Sequence, residues 1–278
     1  MKKNRLTLRV SKEEHGMRLL AFLRAHALDG FSVKGLKRLV DAKRCQINGR
    51  VETFSTHALF AQDLVTLDHD ELPKQGELAV LFEDADLIIY NKPPGLVCEE
   101  TSFRPFFLVH RLDKETSGVL LLAKSEAVRE KLVALFEARA VKKSYLALVD
   151  GYVVKKEGKI VSSLVKKGAY QGQTIWGSDK LQRGKEAITQ WNLLKQERGL
   201  SLLRCAPLTG RTHQLRVHLS EMGHPIVGDY QYAKRFSVNS VPRQLLHAAT
   251  LEFTHPITGD PLLVEAAIPQ DFHALFNC

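Results

Sequence analysis

His110–Arg111–Leu112–Asp113–Lys114–Glu115–Thr116–Ser117–Gly118 runs without a break into Val119–Leu120–Leu121–Leu122–Ala123. A charged loop that ends on a glycine and feeds an apolar run predicts functional groups projected into a cleft and held still by a buried strand. Taken alone, the loop reads equally well as a solvated turn with local ion pairs. Upstream, Leu87–Ile88–Ile89–Tyr90 predicts another buried strand, entering the rigid turn Lys92–Pro93–Pro94–Gly95. Downstream, Ser125 caps a helix expected over 126–139, with Leu132, Leu135 and Phe136 facing inward. Tyr145–Leu146–Ala147–Leu148–Val149 is strand-like, and 245–266 predicts two strands around His255–Pro256–Ile257–Thr258–Gly259–Asp260. Strands and helices in this irregular alternation predict an α+β domain on a largely antiparallel mixed sheet flanked by helices.

A second charged stretch is Thr209–Gly210–Arg211–Thr212–His213–Gln214–Leu215–Arg216–Val217–His218. Thr212 can start a helix that Gly223 ends, with Pro225 just beyond. Leu215, Leu219 and Met222 then face the core, while His213 and Arg216 fall three apart on another side. His213 and His218 are five apart, on different sides of the helix, so no metal site is expected. Asp113 and Glu115 are too close in sequence for a glycosidase pair acting across a sugar. Lys92 reads as a loop lysine holding a phosphate or carboxylate.

Residues Thr7 to Asp68 read as a small unit of their own. Ser11 and Glu14 have capping-box spacing, with Gly16 against it. A helix is expected over 17–27, carrying Leu19, Leu20, Phe22 and Leu23 and stopped by Asp29–Gly30. Ser32 can cap a second helix to Ala42, with Leu36, Leu39 and Val40 on its apolar side. Lys34, Lys37, Arg38, Lys43 and Arg44 make its outer side basic. A short strand follows into the Asn48–Gly49 turn, and a strand over 63–67 closes the unit. His69 to Glu77, with Pro73 and Gly76, is the expected linker.

Forty Lys and Arg against 31 Asp and Glu give a net charge of +9, which favours a polyanionic partner. The longest apolar run, 119–123, is far short of the roughly 20 residues that span a bilayer. The start is basic and leads into charged residues, so neither a signal core nor a membrane partner is expected. Cys45, Cys98, Cys205 and Cys278 are scattered, which suits reduced thiols and a cytoplasmic location.

The pattern H-R-L-D-x-x-T-S-G followed by T-G-R-T-H-Q-L-R-V-H resembles the RluA-type RNA pseudouridine synthases. Lys143–Ser144–Tyr145–Leu146–Ala147–Leu148–Val149 is similar to that family's K-x-Y-x-A-x-V motif. Flanking matches are 91–96, 223–229, and Leu246–His247–Ala248 with His255–Pro256. The resemblance covers about 78–269. Over 14–70, the helix–helix–hairpin order resembles the ribosomal-protein-S-four-like RNA-binding domain. The chain departs from longer family members between Gly95 and His110, where they carry more residues and often a helix. Phe103, Phe106 and Phe107 in that trimmed stretch are expected to cover the core rather than meet bases.

The resemblance implies an RNA-binding domain over 14–70 and a pseudouridine synthase catalytic domain over 78–278. It implies Asp113 as the catalytic carboxylate, Arg216 as its counter-charge and Tyr145 as the aromatic packed on the target base. Arg111 and His110 are implied on the substrate side, Arg111 at the place a flipped-out nucleotide vacates. Lys34, Lys37, Arg38, Lys43 and Arg44 are expected on RNA phosphates. The reaction needs no metal or cofactor, so none is expected. The expected partner is RNA, large-subunit ribosomal RNA before transfer RNA, and the expected state is a monomer. A non-catalytic RNA-binding assembly factor is the alternative of a different class.

Overall fold

The computed structural model describes residues 3–26, 33–41, 43–70, 78–170, 173–233, 241 and 243–276. The expected helix stop at Asp29–Gly30, the Ser32 cap, the Ala42 end, most of the linker and Cys278 lie outside the described residues. The chain divides into two compact units, Met1–Pro73 and Lys74–Cys278.

In the first unit, β1 (Lys3–Arg9), β2 (Cys45–Ile47), β3 (Arg50–Glu52) and β4 (Leu64–Asp70) form an antiparallel sheet in the order β1-β4-β2-β3. Helices α1 (Leu19–His26) and α2 (Val33–Asp41) supply the rest of its core. Leu19, Phe22 and Leu23 on α1 and Leu36 and Val40 on α2 meet Cys45, Val65 and Leu67. The spacing of those helical residues is that of one face of a helix, which explains why these short segments hold. The compact unit takes in β1, a few residues before the expected start at Thr7, because β1 pairs with β4 along its whole length. The linker also starts later than His69, since β4 extends through Asp70. The Ser11–Glu14 pair forms one half of a capping box, Ser11 N–H donating to the Glu14 carboxylate at 2.9 Å. A turn follows it rather than a helix, because Gly16 takes φ +82°.

The second unit holds, among the described residues, eleven strands in one sheet. They are β5 (Ala79–Glu83), β6 (Leu87–Lys92), β7 (Phe107–Leu108), β8 (Ser117–Ala123), β9 (Lys142–Asp150), β10 (Glu157–Tyr170), β11 (Gln173–Ser178), β12 (Lys185–Glu197), β13 (Leu200–Pro207), β14 (Leu246–Thr254) and β15 (Pro261–Glu265). Their order is β11-β10-β12-β13-β9-β14-β8-β6-β5, with β15 on β14 and β7 on β8. Helices α3 (Glu126–Glu137), α4 (Gln214–Glu221) and α5 (Gln270–Leu275) complete the unit. All described pairings are antiparallel except β14 with β8, made at His247↔Ser117 and Ala248↔Gly118. Gly118 is required there, since its φ is +111° and a Cβ would stand 2.1 Å from the Ala248 carbonyl oxygen.

Strand β8 is buried on both faces, which its unbroken apolar sequence dictates. One face packs with α3 through Val119, Leu121, Val128 and Leu132. The other faces Phe103, Leu112 and Tyr90. Phe103 is fully buried, while Phe106 and Phe107 pack half-buried against these two clusters, so the trimmed segment closes the core as expected. Ser125 Oγ accepts from Val128 N–H at the start of α3.

Candidate active site

Asp113 sits in the loop that enters β8, and every residue from Lys114 to Ser117 is tethered by a buried side chain. Lys92 donates to the Lys114 carbonyl at 3.1 Å. Arg243 donates to the Glu115 carbonyl at 3.2 Å. Gln244 Nε2 donates to Thr116 Oγ1 at 2.9 Å, and Ser117 Oγ bonds His247 Nδ1 at 2.9 Å. The loop also closes on itself, with Thr116 N–H donating to the Asp113 carbonyl at 3.0 Å. Lys92 is wholly buried and gives its other two protons to the Pro93 and Leu96 carbonyls at 2.9 and 3.0 Å. The expectation that it holds a phosphate or carboxylate is therefore corrected. Its three donors are used on backbone, and burial lowers its pKa to about 8. Arg243 is locked in turn by Asp271 at the start of α5, 2.5 and 2.8 Å away.

Helix α4 supplies the opposite wall. It begins at Gln214 rather than Thr212, because His213 takes a left-handed φ of +56° and turns the chain into the helix. Leu215 and Leu219 pack inward. Arg216 Nη1 reaches Asp113 Oδ2 at 3.3 Å. The same guanidinium makes a bidentate pair with buried Asp229, at 2.7 and 2.9 Å, and donates to Gln231 Oε1 at 2.9 Å. Its carbon lies 4.9 Å from the Tyr232 ring centroid. Burial works against the Arg216 charge, but the bonds to Asp229, then the charges of Asp229 and Asp113, outweigh it and raise its pKa. His213 Nε2 lies 3.9 Å from the other Asp113 oxygen, and its Nδ1 bonds Tyr232 Oη at 2.8 Å. Burial lowers the His213 pKa.

Asp113 thus faces a cation that a second carboxylate holds in place. Asp229 was visible in the sequence only as part of a flanking match. Its Oδ1 also accepts from the backbone N–H groups of Gln231 and Tyr232, so the turn after α4 is built around it. Tyr145, on β9, is half-buried in the same region. Burial, reinforced by the Asp113 charge, pushes its phenol well above the ordinary range.

The other expected site residues fall in different places. Arg111 is exposed beside Asp113. His110 instead stacks on Phe136 at 5.0 Å, its Nε2 accepting from Leu121 N–H at 3.0 Å. Burial takes its pKa down to about 3, so it is a neutral ring seating the loop. Lys37 and Lys43 are exposed in the first unit and Arg44 is half-buried there; the side chains of Lys34 and Arg38 lie outside what the structure describes. His218 turns away to Thr189 and Ser162, at 2.9 and 2.8 Å. Among the described residues, Asp84, Asp86 and His255 have metal-ligand spacing. They stand by the far end of β8, where Lys124 N–H donates to the Asp86 carbonyl. Asp84 Oδ1 and His255 Nδ1 each already accept two backbone N–H groups.

No described helix is long and apolar enough to cross a membrane. The family model for RNA pseudouridylate synthase matches residues 99–221. That span contains Asp113, Tyr145 and Arg216. The ribosomal large subunit pseudouridine synthase D of Zymomonas mobilis is 33% identical, covering 75% of this chain and 74% of its own. The protein of the same name from Haemophilus influenzae is 29% identical over 98% of this chain and 94% of its own. Among solved structures, human RNA Pseudouridylate Synthase Domain Containing 1 aligns with a TM-score of 0.65 at 26% identity, over 74% of this chain and 89% of that one.

Proposed function

The chain belongs to the RNA pseudouridylate synthase family, and from that premise we propose that it isomerises uridines of large-subunit ribosomal RNA with Asp113 as the reacting carboxylate. The observation that carries the assignment of Asp113 is the shared guanidinium of Arg216, bonded to Asp229 at 2.7 and 2.9 Å and to Asp113 at 3.3 Å. Asp229 fixes the cation, and the cation in turn sets a counter-charge 3.3 Å from the Asp113 carboxylate in a partly closed place. Asp113 keeps about a quarter of its side chain exposed, 26%, so a substrate can reach it.

The isomerisation breaks the bond between ring nitrogen 1 and ribose carbon 1′, turns the uracil, and joins carbon 5 to carbon 1′. The proton on carbon 5 is lost and nitrogen 1 gains one, so atoms and electrons balance with no oxidant. A carboxylate serves this sequence either as a nucleophile at carbon 1′ or as a base toward the ribose. Tyr145 supplies a flat face that stays a neutral phenol at working pH, suited to packing on the turned base. Arg111, exposed beside Asp113, would fill the gap left by a flipped nucleotide and offset part of the few kcal/mol that extrusion costs. The exposed cations of the first unit, Lys37 and Lys43, would lie on phosphates and supply affinity without sequence choice. The choice of ribosomal RNA rests on the names of the Zymomonas and Haemophilus relatives.

The test is tritium release from RNA labelled at uracil carbon 5, with ribosomal and transfer RNA presented separately. Release from ribosomal RNA by the wild type and none by Asp113→Asn is the expected result. Release from transfer RNA alone would overturn the substrate. Equal release by the variant would overturn the assignment of Asp113.

A further inference from the structure

Strand β9 carries Lys143 and Tyr145 on one face, two residues apart and therefore about 7 Å apart along the strand. Tyr145 is the phenol that feels the Asp113 charge. Lys143 has been given no task by the reaction above. Its ammonium lies 5.8 Å from the Phe136 ring centroid, and that ring is held by the stacked His110. Across from Phe136 is the backbone of Gly210, where an added Cβ would stand 3.8 Å from Lys143 Nζ. Gly210 opens the short segment that leads to His213, 3.9 Å from Asp113. The ammonium thus lies half-buried between α3 and the segment that enters α4.

No carboxylate among the described residues pairs with Lys143. The contrast with its neighbour is direct, since Lys142 points to the other face and meets Glu252 at 2.7 Å. Burial lowers the Lys143 pKa, and no nearby acid opposes that shift. A cation withdrawn from water without a partner is costly, and the cost is recovered when an anion binds it. The polymer acted on by this family is a chain of phosphates. A lysine one strand step from the base-packing aromatic stands where the backbone of that nucleotide, or of its neighbour, must pass.

We propose that Lys143 is a phosphate-binding residue, taking one backbone phosphate of the RNA beside the uridine held at Asp113 and Tyr145. The proposal rests on the reading of those two residues as the reacting site. It assigns Lys143 to substrate binding and leaves the chemical step to Asp113.

The test compares wild type, Lys143→Met and Lys143→Arg. Methionine keeps the stem against Phe136 and removes the charge, while arginine keeps the charge. With a large-subunit ribosomal RNA transcript, Lys143→Met should raise KM roughly tenfold and leave kcat within about twofold. The slope of log kcat/KM against log salt should become shallower by about 0.7, one single-strand phosphate contact. Lys143→Arg should restore most of both. A thermal melt matching wild type establishes that the methionine variant is folded. An unchanged KM and salt slope, or a fall in kcat alone, would overturn the proposal and leave Lys143 as packing. Binding of a short fluorescent oligouridylate gives the same slope without turnover. A single neutral methylphosphonate should weaken wild type at one position and leave Lys143→Met indifferent there; equal weakening of both proteins at every position counts against the proposal. Because this assay needs no catalysis, failure of the Asp113 assignment in the tritium test stays separate from failure of Lys143.

Discussion

Lys37 and Lys43 in the first unit stand in solvent, whereas Lys92, Arg216 and Arg243 in the second are buried and bonded to named partners. Charges of the first kind act by proximity. Each adds a little affinity, each is screened by salt, and none needs a fixed geometry. Charges of the second kind have lost their water, so their energies depend on partners at hydrogen-bond distance and fall sharply when one is removed. In this chain the buried group surrounds one aspartate. Lys92 and Arg243 hold the loop after Asp113, and Arg216 holds its carboxylate. On the proposed function the contrast is a division of labour, with replaceable attraction expected of the first unit and an over-determined position in the second.

The most severe challenge to that division is Asp113→Asn. It should abolish tritium release, by on the order of 10³-fold or more, and leave the melting temperature close to wild type. Arg216 keeps its bidentate bond to Asp229 without Asp113, which is why stability should survive. A large loss of stability instead would mean that Asp113 is a structural ion rather than the reacting one.

Arg216→Met comes next. It strands Asp229, which is 1% exposed, in a site built for a pair. Urea unfolding should show a loss of about 3–5 kcal/mol. Adding Asp229→Asn should recover part of it, because asparagine still accepts from the Gln231 and Tyr232 N–H groups without a charge. Stability unchanged by Arg216→Met would show the pair to be hydrated, and the contrast with the first unit would collapse.

How far the sequence foretold this arrangement follows from the range of each interaction. Asp113, Tyr145 and Arg216 are marked by local motifs, and the Asp113–Arg216 bond joins residues 103 positions apart as those motifs implied. Asp229 carries no such mark. Its role depends on the return from α4 through Gly228, which packs against the Arg243 backbone. Lys92 misled the reading because nothing near it in sequence reveals that its carbonyl acceptors lie on two separate loops. The ribbons β10 to β13 were not foreseen at all. Of these, β10 and β12 are long and rich in exposed polar residues, and shifts at Lys166/Gly168 and Leu193/Lys195 break the period of two that marks a strand. Strand β1 does alternate, with Leu6 and Leu8 packed inward, but its partner is some 60 residues away.

The third effect is acid sensitivity confined to the second unit. His218 lies unexposed between Thr189 and Ser162, and His247 between Ser117 and the Ala266 carbonyl. Burial lowers both pKa values to about 4, against the smaller opposing effects of the Glu221 charge on His218 and of the Ala266 carbonyl bond on His247. A lowered folded pKa on a base means the unfolded chain takes up protons first. Stability is therefore full above about pH 6.5 and declines as pH falls toward 4. At pH 5 each histidine should cost about 2 kcal/mol relative to pH 7. Urea midpoints at the two pH values measure this, and His218→Asn should remove about a third of the difference or less, because burial lowers His110 and His213 in the same direction. A stability profile level between pH 7 and 5 would mean that these rings are already charged or reached by water.

The smallest effect belongs to the first unit and tests the other half of the contrast. Lys37→Ala with Lys43→Ala removes two exposed charges and no described hydrogen bond or ion pair of their side chains. The fold should barely respond, within about 0.5 kcal/mol, because solvent-exposed side chains of this kind hold nothing in place. RNA affinity should drop a few-fold, and the salt slope should become shallower by roughly one to two contacts. Turnover at saturating RNA should be unchanged, since neither residue touches the reacting atoms. Attraction of this kind is additive, so the double variant should equal the sum of the singles within about 0.5 kcal/mol. A strong departure from additivity would mean that these lysines grip one feature of a defined RNA shape. The first unit would then select the substrate as narrowly as the second unit places Asp113.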